Sequence, residues 1–333
     1  MLMQNQRNKI VIDHGSYSCK YGISGYGKPE GKIKSQIIYD KKTMKYMIAN
    51  KDEIEDELYY PIKNGIIQDF DKMKIIWDEI FYKKMKIKPE KCKILLSLVE
   101  TTDDNYKNKI IKIMLDDYKF DGVQIANQQV LALYGSGKNM GIVVDIGHTI
   151  TRIVPIYDSY MIHSGCGISF QTGIYINKYI NKCIEGDLND SEMDEIKKLL
   201  FIKKNHTQLK KKLEHKINNV NEKINELNKH EMDNILIDAS EGDHDINDIV
   251  SLILNAIKKS PIDYRAELSK NIMLIGGTSA IPGLCKKLYL KLKKDNENVK
   301  VYGYKNRIIA SWVGGSIFSC LPTFDKMWIN NVA

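Results

Sequence analysis

Residues 141–152 read Gly-Ile-Val-Val-Asp-Ile-Gly-His-Thr-Ile-Thr-Arg. An apolar run delivers one carboxylate, Asp145. Gly147 turns the chain, and hydroxyl-bearing residues follow. The pattern predicts a strand, a tight glycine turn and a second strand. Residues 10–20, Ile-Val-Ile-Asp-His-Gly-Ser-Tyr-Ser-Cys-Lys, have the same design around Asp13 and Gly15. Two such hairpins in one chain predict two related halves, each offering a phosphate loop to a shared cleft.

In that arrangement Asp13 and Asp145 face each other, and Ser16, Ser18 and Lys20 lie where phosphates would be held. Mg2+ prefers oxygen ligands and keeps most of its waters, so two carboxylates can hold it through its hydration shell. A third stretch, Asn271–Gly283, is a buried strand running into a Gly-Gly-Thr turn at 276–278, with a helix after Pro282. Such a turn aims backbone N–H groups at one spot, which suits a phosphate or the edge of a nucleotide. No nucleophile–base arrangement stands out, and the seven histidines show no metal-ligand spacing.

The chain has 333 residues, 43% of them hydrophobic, enough for about two domains of ordinary size. No apolar run is long enough to span a bilayer, and Met1–Lys9 is polar, without a signal-peptide core. The six cysteines are scattered, which argues for reduced thiols in an intracellular protein and against a zinc site. The net charge of +8 comes from lysines interleaved with acids, so nucleic acid is not expected as a direct ligand.

Elsewhere the patterning predicts a helix over 69–85, a strand over 93–98, a helix over 105–117 and a strand over 123–125. A helix over 127–134 follows, stopped by Gly135-Ser-Gly137. Residues 168–184 read as a helix beginning near Thr172-Gly173, 249–258 as another, Pro261 as a turn and 299–301 as a short strand. Tyr26–Tyr60 is lysine-rich and weakly patterned, a peripheral insertion rather than core. In 206–232, Leu209, Leu213, Ile217, Val220, Ile224 and Leu227 approximate a heptad seam on a charged helix. Such a helix packs on its own domain or takes a helical partner. Ser311-Trp-Val-Gly-Gly-Ser-Ile-Phe318 reads as a helix with a small-residue face suited to close packing.

In this order these residues resemble actin and the actin-related proteins. The specific stretches are Tyr60-Pro-Ile-Lys-Asn-Gly-Ile, Val-Pro-Ile-Tyr at 154–157, Gly-Gly-Thr at 276–278 and Trp-Val-Gly-Gly-Ser at 312–316. The resemblance implies an actin-like α/β fold, two ribonuclease-H-like domains around a nucleotide cleft. One would comprise 1–135 plus 306–333, with 27–59 a shortened peripheral subdomain. The other would comprise 136–305, with 173–249 remodelled. ATP or ADP with Mg2+ is the implied cofactor. Asp13 and Asp145 would hold the metal through water, and Gly15, Ser16, Tyr17, Ser18 and Lys20 would form the first phosphate loop. Gly147, His148 and Thr149 would form the second, with Gly173, Gly276, Gly277 and Thr278 lining the nucleotide. Gln128 matches the glutamine that helps place the attacking water, and Arg152 stands where a histidine helps order it. On the adenine side, Lys198, Ile281 and Ile308 replace a glutamate, a tyrosine and a lysine.

These departures point to retained but altered nucleotide binding and to an ATPase that is slow at most. Losing one water-positioning group lowers the rate by a factor on the order of 10²–10⁴. A partner groove is expected from Tyr134, Tyr160, Val313, Ile317, Phe318, Leu321 and Met327. The sequence ends at Ala333, which would leave one wall of that groove incomplete. The region 26–60 is about ten residues too short to carry the full loop that docks into a neighbouring subunit, a loss a folded domain tolerates. The expectation is a divergent actin-related protein of the cytoplasm and cytoskeleton. Its partners would be actin, other actin-related proteins or the subunits of a larger complex. A nuclear subunit of a chromatin-remodelling complex and a polymerising ATPase are the alternatives.

Overall fold

The computed structural model describes residues 9–49, 58–99, 103–184 and 248–330, with positions 188, 192, 193, 196, 197 and 236. Two sheets dominate. The first contains β1 (Lys9–His14), β2 (Ser18–Ile23), β3 (Gly31–Lys34), β4 (Lys93–Leu98) and β5 (Gly122–Asn127), in the order β5-β4-β1-β2-β3. The second contains β6 (Gly141–Ile146), β7 (Thr151–Tyr157), β8 (Gly167–Ser169), β9 (Ile272–Ile275) and β10 (Val301–Gly303). Its order is β10-β9-β6-β7-β8, with Tyr160–Met161 also pairing on β7.

The two sheets share one plan. In each, three antiparallel strands come first, and two strands parallel to the first are added on its other side. The central strands are covered on both faces, so they read as continuous apolar runs. Ile10, Val11 and Ile12 are fully buried, as are Ile142, Val143 and Val144. The hairpins therefore occupy equivalent places. Register aligns Ser97, Asp13, Lys20 and Lys32 across the first sheet. It aligns Ile275, Asp145, Arg152 and Ile168 across the second. Arg152 is thus the counterpart of Lys20.

Helix α1 (Phe70–Asp78) is capped by the Asp69 side chain and continues as a wider turn, Glu79–Lys84. Helix α2 (Asp104–Lys112) is capped by Asp103 and continues the same way through Ile113–Asp117. Both cover the first sheet, burying Trp77, Phe81 and Met114. Helix α3 (Gln128–Gly135), capped by Asn127, carries the chain from β5 in the first sheet to β6 in the second. Helices α4 (Gly173–Ile184), α5 (Ile249–Lys259), α6 (Ile262–Ser269) and α7 (Leu284–Leu292) share a core with the second sheet. After β10 the chain returns as α8 (Ala310–Phe318), which lies against α3 and the first sheet.

The contact between α3 and α8 explains the small-residue face of α8. A Cβ on Gly135 would lie 2.8 Å from the Gly314 nitrogen, and one on Gly314 would fall on the Leu131 carbonyl. Trp312, fully buried, donates from Nε1 to the Val11 carbonyl at 3.0 Å. Both crossings between the sheets are thereby packed into one seam.

Tertiary pairing changed several local expectations. Gly31–Lys34 is the edge strand of the first sheet, not part of a peripheral insertion. It has one apolar side chain, Ile33, and β2 supplies the partner that makes it a strand. Residues 37–40, 45–48 and 58–59 form a separate three-stranded sheet. Gly167–Ser169, in the stretch read as leading into a helix, is a strand paired to β7, and the helix begins at Gly173, where the Thr172-Gly173 start was expected. Pro261 precedes helix α6 rather than only turning the chain. The strand expected at 299–301 runs instead from Val301 to Gly303. The expected helix over 206–232 lies outside the described residues. Among the described residues no helix is long and apolar enough to cross a membrane.

Candidate functional site

The two hairpin turns are built alike. A Cβ on Gly15 would lie 2.8 Å from the Ser18 carbonyl, and one on Gly147 would lie 2.7 Å from the Ile150 carbonyl. Each carbonyl is three residues on, so the turn is too tight for any side chain there. The tips meet across a cleft of ≈ 480 Å³, a volume within the range of small-molecule sites. Thr149 Oγ1 donates to Ser16 Oγ at 2.9 Å, and the Tyr17 and His148 rings lie 5.0 Å apart. Counting from the aspartates, Ser16 corresponds to His148 and Tyr17 to Thr149. Each contact therefore pairs the third residue after one aspartate with the fourth residue after the other.

A third turn reaches the same place. Asn64 and Gly65 have φ of 53° and 80°, the left-handed pair that a two-residue hairpin requires between Ile62–Lys63 and Ile66–Ile67. The Asn64 N–H donates to Thr149 Oγ1 at 3.1 Å, and the Gly65 N–H to Ser16 Oγ at 3.3 Å. Arg152 Nη2 donates to the Asn64 carbonyl at 3.2 Å.

Below the tips lie the carboxylates. Asp13 accepts from Lys20 Nζ at 3.0 Å, from Gln128 Nε2 at 3.0 Å and from Ser97 Oγ at 3.2 Å. Gln128 also donates to the His14 carbonyl at 2.8 Å. Asp145 accepts from Gln129 Nε2 at 2.8 Å. Burial works against the charge on Lys20, but the Asp13 carboxylate outweighs it and holds the ammonium above its ordinary pKa. Burial raises the Asp145 carboxyl, with Gln129 pulling it back down and the Asp13 charge adding to the rise. Burial also draws Arg152 down while Asp145 opposes it. Beside Asp13, His14 accepts from Trp77 Nε1 at 2.9 Å, and burial lowers its pKa to about 4.

The cleft brings together Asp13, Gly15, Ser16, Tyr17, Ser18, Lys20, Gln128, Asp145, Gly147, His148, Thr149, Arg152, Gly276, Gly277 and Thr278. Gly276 needs its φ of 90° and its bare Cα, because a Cβ would lie 2.7 Å from Asp145 Oδ1. Gly173 does not line the cleft. It lies behind the second loop, donating to the Gly147 carbonyl at 3.0 Å, and a Cβ would meet Thr278 and His148. Ile308 reaches the cleft, Ile281 is buried in the second core, and Lys198 lies outside the described residues.

In the expected partner groove, the Phe318 ring lies 5.4 Å from Tyr134 and 4.8 Å from Phe324. Tyr160, Ile317 and Met327 are exposed and Leu321 is half-buried. Val313 is instead core, packed with Val11, Leu95 and Leu131, because α8 turns that face toward the first sheet.

Sequence reasoning missed Gln129, Lys32, Lys197 and Arg307. Lys32 carried a faint signal, a lysine at alternate positions of a short strand. Lys20, Lys32, Arg152, Lys197 and Arg307 outnumber the two carboxylates in the cleft, which favours a polyanionic ligand.

Among the described residues no group of three or more His, Cys, Asp or Glu side chains forms a direct metal cage. Two carboxylates, Asp13 and Asp145, fit a cation that keeps its own waters and is shared with phosphates, the habit of Mg2+. Two tight glycine turns, excess cations and paired carboxylates mark a duplicated α/β protein with both hairpins facing one cleft. The family model for actin matches residues 4–239 and 227–332, and the chain belongs to the actin family. Members of this family generally bind ATP or ADP with Mg2+.

Proposed function

We propose that this chain is a divergent actin-related protein that holds Mg-ATP or Mg-ADP between its two hairpins and hydrolyses it slowly or not at all. The observation that carries this reading is the position of Arg152. It stands beside Asp145 in register, as Lys20 stands beside Asp13, and its guanidinium is tied to the Asn64 carbonyl. A fixed cation there favours the charge of a bound triphosphate, whereas ordering an attacking water calls for a group that can accept its proton. Lys20 and Arg152 would hold phosphate charge from opposite sides. The glycine turns would let backbone N–H groups approach, and the closed tips would limit water. The bound Mg2+ would supply charge neutralisation of the phosphates.

The assembly role follows from the two ends of the molecule. The Tyr134–Phe318 face keeps exposed apolar neighbours in Ile317 and Met327, while the sequence of 26–60 is about ten residues short of the full loop that docks into a neighbouring subunit. A subunit with one docking face largely kept and the other reduced suits the end of a filament or a fixed slot in a complex. Capping or nucleation in a dynactin-like or branched-filament-like assembly of the cytoplasm is the reading we adopt. Purified protein with ATP and Mg2+ should not sediment as long filaments, and radiolabelled ATP in the cleft should remain uncleaved. Extended homopolymers seen by microscopy, or phosphate release at a filament-actin rate, would refute it. Co-purification with a remodelling ATPase, in place of actin or dynein–dynactin components, would move the protein to a nuclear complex.

A further inference from the structure

Gln129 is 1% exposed, and Asp145 Oδ2 accepts from its amide at 2.8 Å. Its neighbour Gln128 holds Asp13. Consecutive side chains at the start of α3 therefore hold the two carboxylates, one from each sheet, where the chain crosses between sheets. The two attachments are unequal. Asp13 has three donors, Lys20, Ser97 and Gln128. Among the described residues Asp145 has one hydrogen-bond donor, Gln129. The other carboxylate oxygen, Oδ1, lies against Gly276, where a Cβ would come within 2.7 Å. One oxygen is thus tied, and the other lies beside the cleft-lining Gly276 with no hydrogen-bond donor among the described residues. Arg152, next to Asp145 in register, is a cation that would compete for a carboxylate left loose.

We infer that Gln129 is a positioning residue for the divalent cation, fixing Asp145 through Oδ2 so that Oδ1 is offered to the hydrated metal. This rests on the reading that a metal–nucleotide occupies the cleft. The physical reason is that of outer-shell partners in metal sites generally. An amide that orients a ligand carboxylate removes the rotamer freedom it would otherwise lose on binding, and such partners typically contribute about 10–100-fold in metal affinity.

The test uses the full chain, a fluorescent ATP analogue, and Mn2+ followed by its paramagnetic resonance signal. Gln129→Met keeps the volume and deletes the donor; Gln129→Ala is the second variant. Each variant should bind the analogue in EDTA as the parent does, yet require about 10–100-fold more Mg2+ or Mn2+ for the metal-dependent complex. Unchanged metal affinity in variants that bind nucleotide normally overturns the inference and leaves nucleotide binding standing. A parent chain that binds no ATP with or without metal overturns the nucleotide reading, and this inference with it. Failure of both variants to melt cooperatively assigns Gln129 to the fold and also overturns the inference.

Discussion

Acidification should weaken the fold through His14, a residue of the first aspartate–glycine hairpin. His14 is buried and accepts a hydrogen bond from the Trp77 indole N–H at 2.9 Å, so Nε2 must be unprotonated. Protonation would set two donors against each other in a site without water access. Burial accordingly lowers the pKa to about 4, with the Asp13 charge and the Ser97 backbone opposing it. In the unfolded chain the value returns to about 6.5. Between these values the unfolded state binds more protons than the native state, so stability rises with pH across the window and is lost as pH falls through it. Linkage puts the loss at about 2 kcal/mol at pH 5 relative to neutral pH, approaching about 3 kcal/mol below pH 4.

The assay is urea unfolding followed by circular dichroism at pH 7, 6 and 5, for the parent and for His14→Gln, which cannot titrate. Carboxylates titrate in both proteins and cancel in the comparison. The stability advantage of the parent over the variant should therefore shrink by about 2 kcal/mol between pH 7 and 5. Parallel pH profiles would refute the reasoning. They would mean that His14 is either solvated or already charged in the native state.

Other expectations follow from the same geometry. Arg152→His should speed single-turnover cleavage of bound ATP by about tenfold or more, measured by quench-flow with radiolabelled nucleotide. Asp145→Asn removes a carboxylate that burial holds above its ordinary pKa and whose charge therefore weighs against the fold at neutral pH. The ligand-free melting temperature should hold or rise, while Mg-ATP affinity by calorimetry falls about tenfold or more. Gly314→Ala forces α3 and α8 apart and should lower the unfolding free energy by about 2 kcal/mol or more, read by urea titration.

The two aspartate–glycine hairpins were legible in sequence because each is a local object. Strand, carboxylate, glycine and return strand lie within a dozen residues, and a turn that tight admits only glycine at 15 and 147. The small face of α8 was legible for a similar reason, since Gly314-Gly315 advertises close approach whatever the partner. Gly31–Lys34 was not, because a strand with one apolar residue is specified by its neighbour β2 rather than by its own pattern. Val313 was misassigned because an apolar helix residue reads the same whether it faces a groove or a core. The rotation of α8 against β1 and β4 decides which.

By itself, then, the sequence determined that there are two carboxylate–glycine hairpins and the family they belong to. Only the tertiary structure decided how the halves meet. It set Ser16 on Thr149 and Tyr17 on His148, put Gly173 behind the loop instead of in the cleft, and brought Gln129 to Asp145. The reason is distance along the chain. Turn chemistry is encoded in the residues that make the turn. A hydrogen bond between a crossing helix and a strand sixteen residues later depends on the packing of every element between and around them.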